Sequence, residues 1–262
     1  MKLAITGKGG VGKTTLASLL AGVFANEGKE VIAIDANPDA NLAMALGIPP
    51  DRVAGITPIA DMQELIRERT STGRGDIDAF FKLNPKVDDL VDRFGLRFGN
   101  IRLLVMGTVK KGGKGCMCPE SALVRNLVSH LVLGRQEVVI MDMDAGIEHL
   151  GRGTARAVDA FITVVEPGQR SLQTARLVLK LARDLHVQKC YAVGSKTHNE
   201  SEREFIIQGL TEFEVIGFIN YHPEIAEADL KGIGVYEASP EAVAEAKAIK
   251  NRLGQLQLHR KG

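Results

Sequence analysis

Residues 7–15, Gly7-Lys8-Gly9-Gly10-Val11-Gly12-Lys13-Thr14-Thr15, constrain this chain more than any other stretch. They fit the spacing G-x-x-x-x-G-K-[ST], directly after a short apolar run (Lys2–Thr6) and directly before a helical pattern (Thr14–Asn26). Glycines let a backbone curl so that successive N–H groups converge on phosphate oxygens. The start of the following helix adds its positive end. Gly9, Gly10, Val11, Gly12, Lys13, Thr14 and Thr15 therefore read as a phosphate cradle. Lys13 is placed to neutralise the β- and γ-phosphates of a nucleotide such as ATP or ADP, and the Thr14 hydroxyl to ligate Mg²⁺. A Gly-rich turn with a solvated lysine explains neither the four glycines nor the Lys-Thr pair at these offsets.

The pattern that follows is repetitive in kind. Short apolar, β-branched runs at Lys2–Thr6, Glu30–Asp35, Arg102–Gly107, Val138–Asp142, Ala160–Val165, Cys190–Gly194 and Val215–Ile219 alternate with helical stretches at Thr14–Asn26, Glu120–Leu133, Ser171–Leu185 and Glu202–Gly209. Near-continuous apolar strands separated by helices predict an α/β P-loop NTPase fold, with a mostly parallel central sheet of about seven strands and helices on both faces. Residues 1–262 read as one domain, with 55–99 as an irregular helical insertion within it. The last segment, Ser239–Gly262, places Val243, Ala246, Ile249, Leu253 and Leu256 on one side, which predicts a helix packed on the sheet rather than a membrane anchor.

Composition narrows the class. The chain is 45% apolar with a net charge of +1, which excludes disorder. No run approaches the roughly 18 apolar residues of a membrane span. Lys and Arg (33) balance Asp and Glu (32), so no global field draws nucleic acid or anionic lipid. Three cysteines make no disulfide framework, and the N-terminus turns polar too early for a signal peptide. A cytoplasmic location is expected.

Lys8, inside the loop, adds a second lysine. The K-G-G-x-G-K-[ST] variant resembles the deviant Walker A loop of the MinD, ParA, nitrogenase iron protein and arsenite-pump ATPase group. The resemblance implies that Lys8 reaches across a homodimer interface to the partner's nucleotide.

Acids at strand ends supply the rest of a magnesium and water site. Asp142 closes the run Val138-Val139-Ile140-Met141, where a carboxylate joins the Mg²⁺ shell. Asp35 closes the second strand, in Ile34-Asp35-Ala36-Asn37-Pro38-Asp39. The resemblance makes this segment the first switch, and Met143–Glu148 the second, with Gly146 sensing the γ-phosphate. Where relatives place a water-orienting aspartate, this chain has Asn37. An amide positions water but cannot accept its proton. Either Asp39 or Asp35 takes over, or hydrolysis is slow; slow hydrolysis is the expectation. Read alone, Asp35 could also be a capping or solvated strand-end acid.

The second informative stretch is Lys110-Lys111-Gly112-Gly113-Lys114-Gly115-Cys116-Met117-Cys118-Pro119-Glu120. Pro119 suits a first helical position, which puts Cys118 at a helix N-cap. The helix terminus and three lysines favour thiolate, the form that binds soft or borderline metal. Two thiolates cannot fill a tetrahedral shell of about four ligands, but a two-fold dimer would supply the other pair. By spacing alone the pair is equally readable as inert or redox-active. Cys190, in an apolar strand, reads as a small buried side chain.

This stretch, together with Asp142-Met143-Asp144-Ala145-Gly146-Ile147-Glu148-His149 and Glu224-Ile225-Ala226-Glu227-Ala228-Asp229, resembles the CooC-type accessory ATPases that mature nickel carbon monoxide dehydrogenase and acetyl-CoA synthase. The resemblance implies ATP, Mg²⁺, a dimer dependent on nucleotide and metal, Ni²⁺ or Zn²⁺ held by Cys116 and Cys118 of two subunits, and delivery of nickel to the apo-enzyme client. Relatives read adenine with an Asn-Lys pair and a Pro-Tyr-Asp segment. Here the corresponding residues are Ser195-Lys196, with Asn199 nearby, and Asn220-Tyr221-His222. His198, His222 and His149 read as solvated loop histidines. The other readings are a MinD/ParA-like positioning ATPase and an electron donor like the nitrogenase iron protein. Balanced charge argues against the first, and adjacent rather than well-separated cysteines against the second.

Overall fold

Every residue of the first apolar run is buried, as a strand covered on both faces requires; in the computed structural model this is β1, Lys2–Gly7. The structure describes residues 1–71, 82–83, 85–107, 119–145, 158–187 and 189–258. Among these, β2 (Val31–Ala36), β3 (Leu96–Phe98), β4 (Ile101–Val105), β5 (Val138–Met143), β6 (Ala160–Val165), β7 (Cys190–Thr197) and β8 (Glu214–Asn220) join β1 in one sheet. Its eight strands run β3-β4-β2-β5-β1-β6-β7-β8. Neighbours are parallel throughout except β3, which pairs antiparallel with β4. The sequence led to about seven strands, and the extra one is β3. Three residues are too short to show a period, and β3 is defined only by its pairing from Leu96↔Leu103 to Phe98↔Ile101 at the sheet edge.

The helices are α1 (Lys13–Asn26), α2 (Leu42–Ala45), α3 (Pro50–Val53), α4 (Gln63–Thr70), α5 (Leu90–Phe94), α6 (Pro119–Gly134), α7 (Gln169–Asp184), α8 (Glu200–Gly209), α9 (Pro223–Lys231), α10 (Val235–Ala238) and α11 (Pro240–Leu258). On one face, Leu16, Leu20 and Val23 of α1 and Ile249 and Leu253 of α11 pack with Leu3, Ile5 and Ile216 of the sheet. On the other, Leu123, Leu127 and Leu131 of α6 and Val178 of α7 pack with Ala4, Ile34 and Phe161. Each fully buried Leu or Ile contributes roughly 1.5–3 kcal/mol. The terminal helix lies on the sheet as its spacing predicts, with Val243, Ala246, Ile249 and Leu253 buried. The described part of 55–99 is not separate from this core. Ile59, Leu65, Ile66, Leu90 and Val91 are buried in the cluster that contains α6.

Topology sets the position of the site. β1 lies between β5, which is reached after a crossover through β2, and β6, on the opposite side. Open parallel sheets bind ligands in the crevice at the carboxyl ends of the strands where the strand order reverses. The glycine-rich loop leaves β1 at that point.

Candidate functional site

The loop is shaped by close approach. Gly7 has φ +146°, and a Cβ there would stand 2.5 Å from the Val164 carbonyl oxygen. Gly12, φ +97°, is the left-handed residue before α1, and a Cβ there would stand 2.8 Å from Ser195 Oγ. Lys13 opens α1 and is buried; its Nζ donates to the Lys8 carbonyl at 3.2 Å and lies 4.0 Å from Asp144 Oδ1. No acid occupies the first turn of α1, so its positive end stays free for an anion. The loop lines a cavity of about 730 Å³ together with Asn220, Tyr221, His222, Ile225 and Val235. Ligand pockets occupy roughly 300–1,000 Å³.

The acids beside the loop differ in their partners. Asp35 and Asp142 are register neighbours at the ends of β2 and β5. Asp142 is fully buried, and its Oδ2 accepts the Thr14 hydroxyl at 2.6 Å. Its Oδ1 is buried and has no hydrogen-bond partner. Burial raises its pKa against the Thr14 hydroxyl, the Asn37 side chain and the Lys13 charge, which all favour the carboxylate. A buried, unpaired carboxylate oxygen beside a committed hydroxyl is a donor set suited to a hard divalent cation, so Thr14 and Asp142 fit Mg²⁺.

Asp35 is tied to the loop that follows it. Its Oδ2 accepts the Leu42 N–H at 2.8 Å and its Oδ1 the Asn37 N–H at 3.1 Å. Both oxygens thus hold the loop between β2 and α2, which is the capping alternative raised by the sequence. Burial pushes its pKa up to about 6; the Leu42 and Asn37 N–H groups oppose the shift, and neighbouring Asp142 adds to it. Asn37 is buried and its side chain favours ionisation of both acids, whereas Asp39 is exposed on the cavity wall.

Lys8 Nζ does not point into the loop. It pairs with Glu166 Oε1 of the same chain at 2.9 Å. Beside the loop, Lys196 stands at φ +57° in an irregular stretch of β7 and donates to the Gly10 carbonyl at 2.5 Å. Buried Ser195 packs over Gly12. The Asn220 carboxamide is already in use: its Oδ1 accepts from Thr197 Oγ1 and Arg203 Nη2, each at 2.9 Å, and its Nδ2 donates to Glu245 Oε1.

His222 is not a solvated histidine. Its Nε2 lies 2.9 Å from Glu245 Oε2, and its side chain is only 12% exposed, because β8 and α11 pack closely there. His198 stacks on Tyr221, ring centres 4.7 Å apart. Cys190 is half-buried, its thiol pushed up to about 11 by burial. Helix α6 begins at Pro119. Cys116, Cys118, Gly146 and His149 lie outside the described residues. Among the described residues no group of three or more His, Cys, Asp or Glu side chains could hold a metal, and no helix is long and apolar enough to cross a membrane.

Sequence reasoning missed Glu166 and Glu245 as neighbours of the site. Glu166 directly follows a strand that flanks β1, which was a readable signal. Glu245 sits in mid-helix more than twenty residues from the segment it holds, with no local signature.

The chain matches the family described as the CobQ/CobB/MinD/ParA nucleotide binding domain over residues 2–235. It is 45% identical over 249 residues to the carbon monoxide dehydrogenase accessory protein CooC of Rhodospirillum rubrum, covering 95% of this chain and 94% of that one. It is 43% identical over 258 residues to an uncharacterized ATP-binding protein of Methanocaldococcus jannaschii, covering 98% of both chains. The MinD cell division protein of Aquifex aeolicus shares its fold, with a TM-score of 0.67 at 20% identity, covering 97% of this chain and 98% of that one. A phosphate loop at the switch point of a parallel sheet, a family match across most of the chain and 45% identity to CooC over nearly its whole length show that the chain belongs to the CobQ/CobB/MinD/ParA nucleotide-binding family and, within it, to the CooC-type proteins.

Proposed function

We propose that this chain, acting as one P-loop domain over residues 1–262, is an ATP-dependent, dimerising metallochaperone that assists nickel insertion into a carbon monoxide dehydrogenase or acetyl-CoA synthase. What carries the reading is the extent of similarity to a protein named as a carbon monoxide dehydrogenase accessory protein. The local chemistry is consistent with it. The loop N–H groups, the start of α1 and Lys13 would hold the phosphates. Thr14 and Asp142 would hold Mg²⁺, which when bound supplies charge neutralisation at the β- and γ-phosphate oxygens.

Hydrolysis is expected to be slow. Asn37 cannot take a proton from water, and both Asp35 oxygens already accept backbone N–H groups. Of the two carboxylates that the sequence offers in this segment, Asp39, exposed on the cavity wall, is the one left to orient the attacking water.

The cargo, Ni²⁺ or Zn²⁺, is assigned to Cys116 and Cys118 of two protomers. ATP bridged by Lys8 would bring the two C-x-C motifs together, and product release would separate them. Complete tetrahedral zinc-thiolate sites are worth about 10–16 kcal/mol, so losing half of the ligands changes affinity by orders of magnitude. The test is oligomeric state and metal content, with and without ATP and metal, for the wild type and the Cys116→Ser/Cys118→Ser variant. The expected result is one metal per wild-type dimer and none in the variant. An unchanged metal content in the variant, or a monomer under every condition, would overturn the reading. Co-sedimentation with anionic vesicles or DNA in the presence of ATP would point instead to a positioning ATPase.

A further inference from the structure

The cavity is lined by two chemically distinct groups of residues. The glycine loop is suited to phosphates, whereas residues 220–222 and apolar Ile225 and Val235 offer a wall with no such N–H cradle. Two of the side chains that could read a base edge there are committed elsewhere. The Asn220 amide bonds Thr197, Arg203 and Glu245, and Lys196 bonds the Gly10 carbonyl.

All three contacts that pin the segment 220–222 from the α11 side converge on one carboxylate. Glu245 Oε2 accepts the Asn220 backbone N–H at 3.0 Å and meets His222 Nε2 at 2.9 Å; Oε1 accepts Asn220 Nδ2. The Glu245 side chain is itself 21% exposed, so these charge-assisted bonds are partly shielded from water. Glu245 does not line the cavity.

We propose that Glu245 is a positioning residue for nucleotide binding: it sets the wall that receives the base and ribose, through Asn220 and His222, and has no part in holding the phosphates. This rests on the nucleotide reading of the cavity. The preference for a particular nucleobase then depends on a helix that touches no ligand.

The donors and acceptors allow a specific rescue. Glu245→Gln leaves one acceptor oxygen and places an NH₂ group against the Asn220 NH₂. Glu245→Gln combined with Asn220→Asp exchanges donor and acceptor across that pair. The new carboxylate still accepts from Thr197 and Arg203, and the remaining amide oxygen still accepts from the backbone N–H and His222.

Calorimetric titration of ATP and of inorganic tripolyphosphate against the full chain tests this. Expected for Glu245→Gln is an ATP Kd raised about ten-fold, since charge-assisted bonds are the strong ones. The tripolyphosphate Kd should be unchanged, hydrogen-exchange protection at Asn220–His222 reduced, and all three readouts restored in the double variant. Equal weakening of both ligands, no weakening of ATP, or failure of the double variant to recover would overturn the proposal. Wild-type protein that binds tripolyphosphate but gains nothing from the nucleoside removes the base wall alone. Wild-type protein that binds neither removes the nucleotide reading and this proposal with it.

Discussion

Lys8 Nζ and Glu166 Oε1 are 2.9 Å apart within one chain, so the lysine that would serve a partner's nucleotide is held at home. Both side chains are about a third exposed, and such pairs are worth about 0.2–1 kcal/mol. A triphosphate offered by a second protomer can outcompete a contact of that size.

Glu166→Gln should therefore favour ATP-dependent dimerisation. The midpoint concentration is expected to fall; a two-fold dimer releases one such pair in each protomer, so the fall is at most about thirty-fold. Lys8→Ala should abolish ATP-dependent association while leaving ATP binding to the monomer measurable. Light scattering across a concentration series reads both.

Asp142 is a group whose replacement should act in opposite directions on stability and function. Its ionised form is disfavoured by burial, with Oδ1 unpaired. Asp142→Asn removes the buried charge and should leave the nucleotide-free protein as stable or more stable, while Mg²⁺-dependent ATP binding and hydrolysis are lost. Melting temperatures with and without MgATP check this: the thermal shift on adding MgATP should shrink toward that seen with ATP and EDTA.

Asp35 should titrate near pH 6 rather than near its ordinary value of 3.8. Its folded pKa is raised, so between those values the folded state binds more protons than the unfolded one. Its contribution to stability therefore declines as pH rises from about 4 to about 6 and is level above that. A shift of about two units corresponds to roughly 3 kcal/mol. The ¹³C shift of the Asp35 carboxyl carbon, followed with pH, gives the midpoint directly.

Asn37→Asp should raise single-turnover ATP hydrolysis, because a carboxylate can take the proton an amide cannot. General-base groups contribute about 10²–10⁴-fold, and a gain at the lower end is expected here. The new carboxylate would sit beside Asp35 and Asp142 and push all three pKa values up, so the gain should grow with pH. A pH–rate profile with no gain at alkaline pH would count against slow hydrolysis being due to Asn37.

The fold was legible in the sequence because buried parallel strands are written as continuous apolar runs, such as Val138–Ile140 and Ala160–Val165, each separated by a stretch long enough for a crossover helix. The phosphate loop was legible because its chemistry is local: the glycines, Lys13 and Thr14 act within nine residues of chain. What only the tertiary structure decided are pairings between residues far apart in sequence. Lys8 with Glu166 and Glu245 with Asn220 are brought together by strand order and helix packing, to which no local pattern refers. The same holds for the role of Asp35. The sequence places a carboxylate at a strand end, but only the path of the following loop decides that its two oxygens are taken by the N–H groups of Asn37 and Leu42 rather than left for water.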